Sequence, residues 1–306
     1  MGTTTVVDTA RRALGPVGVA LPASFTTALS MDEQQAAVGR LESVGYRTAW
    51  TNEGVGGKDA LVQLAVLLAA TERMVFGTGI ANIWARPPQT MHGAAAVLAQ
   101  AYPGRLVLGL GVGYPQQAES VGHEFGSPLT TIRDYVDRMS EQTWPPAPDA
   151  AYPRIIAANG PKLLALAGEI ADGALPAGRP PEFTTVARQA LGPDKLLVVG
   201  LSVALDTDPE QARAAARETV SNYLGQPSYA AALARLGYPE QEITAVSDRL
   251  VDTIVAHGDA AAIADLVRAH LTAGADHVSL LPPIGTDFAT GIDQLERLAP
   301  GLVSIG

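Results

Sequence analysis

Short apolar, β-rich runs and amphipathic helical stretches alternate along the whole chain, and this regular exchange constrains the fold more than any single motif. The runs GVALP (17–21), RTAWT (47–51), MVFGTGI (74–80), LVLGLG (106–111), RIIA (154–157), GALP (173–176), LLVVGLSVA (196–204) and DHVSLL (276–281) carry strand signals. The helical patterns between them have marked starts. Ser30 and Glu33 are spaced as a capping box, followed by Ala37, Leu41 and Val44 on one face before Gly45. Asp59 stands where it can cap a helix carrying Leu61, Leu64, Ala65 and Leu68, and Pro88, Pro161 and Pro209 occupy first-turn positions. Eight strand–helix units in 306 residues suit an α/β protein closed as a (β/α)8 TIM barrel, with an open doubly wound sheet as the main rival. No compositional break divides the chain, so a single domain over 1–306 is expected. The widest interval between strands holds several helical stretches, which predicts a helical insertion over 205–258, after strand seven.

The fourth run ends LVLGLGVGYP, with Gly109, Gly111 and Gly113 at alternate positions. A dinucleotide fingerprint needs a third glycine at the sixth position, which here is Tyr114, and Pro115 follows; the spacing fails. The third run carries a second pair, Gly77 and Gly79. Bare strand ends admit either another backbone or a flat ligand, and two of them side by side favour a ligand shelf. Function in a barrel sits at the C-terminal strand ends, here Thr51–Lys58, Gly79–Arg86, Gly111–Gln117, Ala157–Lys162, Pro176–Pro181 and Leu280–Ile284. At the fifth of the eight runs, Asn159 and Gly160 precede Pro161 and Lys162. The helix start and the lysine together could hold a phosphate, whereas the plain alternative is a turn.

A net charge of −10 with 21 scattered Lys and Arg argues against a nucleic-acid partner. The absence of cysteine excludes disulfides, thiolate nucleophiles and cysteine-ligated metals, and no metal site is expected. Apolar stretches such as 60–70 are too short for a membrane span and the first residues lack the apolar core of a secretion signal, so a cytoplasmic protein is expected.

Four segments in order, GTGIAN (77–82) with RPPQT behind it, PGRLVLGLGVG (103–113), AANGPKLLALAGEIADGAL (157–175) and VAHGDAAAIADLVRAHLTAGADHVSL (255–280), resemble the luciferase-like monooxygenase superfamily. Within it the chain is most similar to the branch of oxidoreductases that use the deazaflavin coenzyme F420. The resemblance implies a (β/α)8 barrel, normally a homodimer, with a flavin-type ring at the C-terminal face. It implies a bulge with a cis peptide at Gly79–Ile80 behind that ring, and cofactor contacts at Asn52, Gly79, Ile80, Asn82, Gln117, Asn159, Gly160, Lys162 and Leu163.

The chain also departs from that branch. Where strand two ends in an Asp-His pair in related dehydrogenases, Asn52 and Glu53 stand here, and Tyr114 replaces the glutamate that follows the strand-four glycines. None of the five histidines falls at a matching strand end. Hydride transfer to or from a small organic substrate needs a proton carrier, and Glu53 and Tyr114 are the candidates, Glu53 the stronger. Trp84 could close over the ring and Arg86 could meet an anionic tail. An FMN-dependent luciferase-like monooxygenase and a non-catalytic flavin- or deazaflavin-binding protein are the alternative readings.

Overall fold

The computed structural model describes residues 5–23, 28–206, 208–283 and 285–305; Ile284, at the last of the strand ends considered above, lies outside them. Its strands are β1 (Val17–Ala20), β2 (Thr48–Thr51), β3 (Val75–Thr78), β4 (Ala81–Asn82), β5 (Leu106–Gly111), β6 (Arg154–Ala157), β7 (Gly173–Leu175), β8 (Leu196–Leu205), β9 (Ala256–Gly258) and β10 (His277–Leu281). β1, β2, β3, β5, β6, β7, β8 and β10 pair in that order, all parallel, and β10 closes on β1. This is the TIM barrel expected from the alternation, with helices outside.

The local signals act as the sequence predicts. Ser30 and Glu33 form a reciprocal capping box, Asp59 accepts from the N–H groups of Leu61 and Val62, and Pro88, Pro161 and Pro209 open their helices. The helix Val6–Leu14 packs Val7, Ala10 and Leu14 against inward side chains of the barrel, including Val75, Val107, Ile155 and Val198. It adds apolar burial at the barrel's N-terminal end.

The third run is not one strand. β3 stops at Thr78, the Gly79–Ile80 bond is cis as the resemblance implies, and the chain resumes as β4 beside β5. The glycines behind this bulge are filled by protein, which corrects the reading of them as a bare ligand shelf. A Cβ on Gly109 would stand 2.0 Å from the Thr78 carbonyl oxygen, one on Gly111 2.8 Å from Ile80 Cγ1, and one on Gly77 2.3 Å from the Trp50 ring. These strand ends are bare so that neighbouring strands can carry a bulge and an indole; of the set, Gly79 alone borders the cavity described below.

β8, with ten residues, extends beyond its pairing with β10, and its last part pairs with β9. Between β8 and β9 lie the helices Pro209–Leu224, Pro227–Arg235, Glu240–Ala245 and Asp248–Ile254, the insertion after strand seven. Ala216, Val220, Leu233, Leu250 and Val251 give it a core of its own.

Candidate active site

At the C-terminal mouth of the barrel a cavity of about 440 Å³ opens between the strand ends and the insertion, a volume in the ordinary range for small-molecule sites. Its barrel wall is Trp50, Asn52, Gly79, Leu175, Ala177 and Gly200. Its roof is one face of the helix Pro209–Leu224: Ala215, Glu218, Thr219, Asn222 and Tyr223 at three- and four-residue spacing. Leu21, Pro22, Pro282 and Tyr114 complete the rim.

Trp50 is held from inside the barrel. Its Nε1–H donates to His277 Nε2 at 3.0 Å, and His277 Nδ1 lies 2.7 Å from the Gly15 carbonyl. That pair of bonds fixes the imidazole as the neutral Nδ1–H tautomer, since a carbonyl can only accept and an indole N–H can only donate. Burial pushes the His277 pKa down to about 4, so the ring stays neutral at physiological pH. Space for this pair comes from two glycines, Gly77 under the indole and Gly18, whose Cβ would lie 2.7 Å from His277 Cε1.

Glu53 is buried, at 5 % exposure, and does not border the cavity. Its carboxylate accepts from the Ala60 and Asn82 backbone N–H groups, each at 2.8 Å, and forms a buried ion pair with Arg86. Arg86 also meets Asp59 at 2.7 Å. Burial works against the guanidinium charge, but the two carboxylates outweigh it and hold its pKa above the usual arginine value. This is a clamp joining the end of β2, the start of the helix Ala60–Ala69 and the bulge. All its acceptor capacity points into protein, which does not suit the role of proton carrier expected for Glu53. Arg86 is spent on the same clamp rather than on an anionic tail, and Trp84 donates to the Val112 carbonyl beside His123 and Phe125 rather than facing the cavity.

Asn82 and Gln117 are brought together. Asn82 Nδ2 donates to Gln117 Oε1 at 3.1 Å, and the same oxygen accepts from the Tyr114 N–H at 2.9 Å. Gly113, at φ +57°, sits between them where a Cβ would lie 2.1 Å from that oxygen. Tyr114 itself is 62 % exposed and reaches the cavity rim. Ile80 packs on Gly111. The remaining expected contacts form a separate loop at the end of β6. Asn159 Oδ1 accepts from the Ala177 N–H at 2.9 Å, tying this loop to the barrel wall. Gly160 is the N-cap of the helix Pro161–Ile170, and no side chain caps it. The Lys162 and Leu163 N–H groups are thus first-turn donors without an intrahelical partner.

The sequence reading overlooked two features of this mouth. Tyr223, on the insertion, places its hydroxyl 2.6 Å from Ser202 Oγ and stacks on Tyr229, and the bare Gly178 makes room for its ring. Burial pushes the Tyr223 phenol above its ordinary pKa. The second feature is Trp50 with His277, residues 227 apart in sequence. The only cue was an aromatic two residues before Asn52 on a strand that must face inward.

A barrel with a covered C-terminal mouth and a bulged third strand defines a class of small-molecule site. The luciferase-like monooxygenase family matches residues 16–277, and the chain belongs to that family. A Mycobacterium tuberculosis protein named a coenzyme F420-dependent oxidoreductase is 33% identical over 172 residues, 45% of this chain and 49% of that protein. The chain thus matches about half the length of that relative. The 5,10-methylenetetrahydromethanopterin reductase of Archaeoglobus fulgidus is 26% identical over 236 residues, 68% of this chain and 71% of the reductase. Among solved structures, the coenzyme F420-dependent tetrahydromethanopterin reductase of Methanopyrus kandleri superposes with a TM-score of 0.74 at 19% identity, covering 95% of this chain and 99% of that one. That likeness establishes the fold. No helix among the described residues is long and apolar enough to cross a membrane.

Proposed function

We propose that this protein is a coenzyme F420-dependent oxidoreductase acting on a small organic substrate. The observation that carries the reading is the cavity itself, lined on one side by the strand ends at Trp50, Asn52 and Gly79 and on the other by the helix Pro209–Leu224. Relatives named for F420-dependent activity support it, including an F420-dependent glucose-6-phosphate dehydrogenase of Nakamurella multipartita, 29% identical over 198 residues, 53% of this chain and 58% of the dehydrogenase.

The residues fit such a cofactor. Gly79 keeps its Cα open toward the cavity, with nothing nearer than 3.7 Å to a would-be Cβ among the described residues, and Ser279 offers a buried hydroxyl on the cavity wall with no hydrogen-bond partner among them. A flat ring would rest against Gly79, Ile80, Trp50 and Asn52, with Asn82 and Gln117 bracing the bulge from behind. Gly160, Leu163 and Lys162 would hold the phosphate of its tail through first-turn N–H groups and one ammonium. When bound, the deazaflavin exchanges a hydride at its C5 carbon. In this arrangement Glu53 is a positioning residue that fixes the bulge, and Tyr114, at the rim, is the hydrogen-bond donor nearest the sequence-based expectation of a proton carrier.

A homodimer is part of the reading. The helices Ala60–Ala69 and Pro88–Ala101 pack side by side, contain no charged residue, and expose Val62 and Val97 at 64% and 53%. An uncharged paired-helix surface of this kind suits burial against a second copy.

The test is a titration of the purified protein with F420 and, separately, with FMN, followed by ligand absorbance and by the melting temperature. F420 is expected to bind in the micromolar range and raise the melting temperature, and Lys162→Ala is expected to weaken it several-fold, more so at low salt. Stabilisation by FMN alone would replace the reading with a flavin monooxygenase; a 3,6-diketocamphane monooxygenase solved with FMN shares the fold at a TM-score of 0.67 and 15% identity, covering 94% of this chain and 99% of that one.

A further inference from the structure

The cavity is chemically lopsided. No described residue that lines it carries a positive charge, one, Glu218, carries a negative charge, and most of the remainder is apolar, as at Leu21, Pro22, Leu175 and Leu281. The buried guanidinium of Arg179 does not line it; that group lies over the Tyr229 ring, 4.1 Å from its centroid. A phosphate or carboxylate taken into this space would lose hydration and meet a carboxylate instead of a cation.

Among the polar groups on this surface, two hydroxyls are bonded to each other. Ser202 on β8 and Tyr223 on the roof both line the cavity, and their hydroxyls are 2.6 Å apart with no other hydrogen-bond partner among the described residues. Each hydroxyl is one donor and two acceptors. Whichever oxygen donates within the pair, the other keeps a proton free, and both keep lone pairs. Such a pair can donate to a carbonyl oxygen or accept from a hydroxyl without any change of ionisation state. It therefore suits both members of an alcohol–carbonyl couple.

Tyr223 is also immobilised for the task. Its ring stacks on Tyr229 at 5.3 Å between centroids, the Tyr229 hydroxyl is bonded to the Gly178 carbonyl, and a Cβ on Gly178 would come 2.7 Å from the Tyr223 ring. A hydroxyl held by packing costs little further ordering when a ligand binds.

We propose that the Ser202–Tyr223 hydroxyl pair is the substrate-oxygen site of this mouth, and that the mouth selects uncharged, largely apolar alcohols or carbonyl compounds over phosphorylated or carboxylate-bearing ones. The proposal rests on reading the mouth as an oxidoreductase site, and it names the substrate class of that site.

The test uses the full chain without cofactor, titrated with cyclohexanone, cyclohexanol, methylcyclohexane, cyclohexanecarboxylate and cyclohexyl phosphate, with binding read by calorimetry or ligand-observed NMR. Cyclohexanone and cyclohexanol are expected to compete with each other. Tyr223→Phe, which keeps the ring stack, is expected to weaken both about 3- to 10-fold and to leave methylcyclohexane unchanged, at an unaltered melting temperature. Ser202→Ala is expected to act in the same direction. The two anions are expected to bind at least 10-fold more weakly than the ketone, and Glu218→Gln to narrow that gap. The proposal is overturned if folded Tyr223→Phe and Ser202→Ala bind the ketone like the parent, if either anion binds as tightly as the ketone, or if no probe binds. A parallel F420 titration separates the two claims. Ketone binding that depends on Tyr223 with no F420 binding refutes the cofactor reading alone, whereas F420 binding with Tyr223-independent ketone binding refutes this proposal alone.

Discussion

Replacing Glu53 with glutamine tests whether that carboxylate carries protons or holds the bulge. In the structure it accepts two backbone N–H groups at 2.8 Å and pairs with Arg86 in a buried setting. Glutamine is nearly isosteric, but it presents one carbonyl oxygen in place of two carboxylate oxygens. Its amide nitrogen must then face the Ala60 N–H, the Asn82 N–H or the guanidinium, each of them a donor. Removing one partner of a buried ion pair costs about 3–5 kcal/mol. Asp59, 2.7 Å from Arg86 and partly exposed, still compensates the guanidinium, which brings the expected loss to about 2–4 kcal/mol. At about 2–4 °C per kcal/mol for a domain of this size, the melting temperature falls by about 4–16 °C. Thermal denaturation of Glu53→Gln, Arg86→Met and the double variant supplies the cycle, and a favourable coupling of at least about 1 kcal/mol is expected between the two sites. Because Asn82 belongs to the bulge, cofactor affinity should fall as well. A Glu53→Gln protein that melts within about a degree of the parent and binds the cofactor normally, yet loses turnover, refutes the clamp and restores Glu53 as a proton carrier.

Three further outcomes are expected. His270 and His277 both have folded pKa values pushed down to about 4 by burial, against 6.5 when unfolded, so the unfolded chain binds more protons between those values. Stability is therefore full above about pH 6.5 and is lost as pH falls toward 4, by ~3 kcal/mol per histidine; urea midpoints across that window measure the slope, and His270→Leu should remove about half of it. Gly109→Ala drives a Cβ onto the Thr78 carbonyl and should cost several kcal/mol or prevent folding. Gly111→Ala meets side-chain atoms of Ile80, from 2.8 Å at Cγ1, instead of backbone and should cost less, about 1–3 kcal/mol, a ranking that denaturation midpoints check. Val62→Glu with Val97→Glu should convert a homodimer to a monomer in light scattering at an unchanged circular-dichroism spectrum; a dimer that survives both charges places the interface elsewhere.

Local chemistry made the barrel legible from sequence. The short apolar β-rich runs, the Ser30–Glu33 box, the Asp59 cap and the first-turn prolines each act within a few residues, and each appears in the structure as expected. At the strand ends, the local geometry was legible where one residue type has one plausible use, as at the Gly79–Ile80 bulge and the Gly160 helix start. It was not legible where function depends on which distant side chain fills a space. Glycine at 109 leaves the same blank for a ligand or for the Thr78 carbonyl, and sequence cannot say which arrives. Glu53 and Arg86 looked available because nothing local pairs them, yet they are 33 residues apart and meet across the bulge.

The roof shows most clearly why substrate recognition escapes a sequence reading. Ala215, Glu218, Thr219, Asn222 and Tyr223 mark one stripe of a helix whose buried stripe is Ala212, Ala216 and Val220, so the amphipathic pattern assigns the first stripe to water. Whether that water is bulk solvent or a cavity is decided by β8. Its ten residues are about twice the length of most barrel strands here, and they carry the chain beyond its pairing with β10 before the helix begins. A shorter strand would set the same helix against the side of the barrel, with Tyr223 facing away from Ser202. Strand length, not the composition of the helix, makes the roof, and shortening β8 by one pleat should abolish ketone binding while leaving the Glu53 clamp on the opposite strands intact.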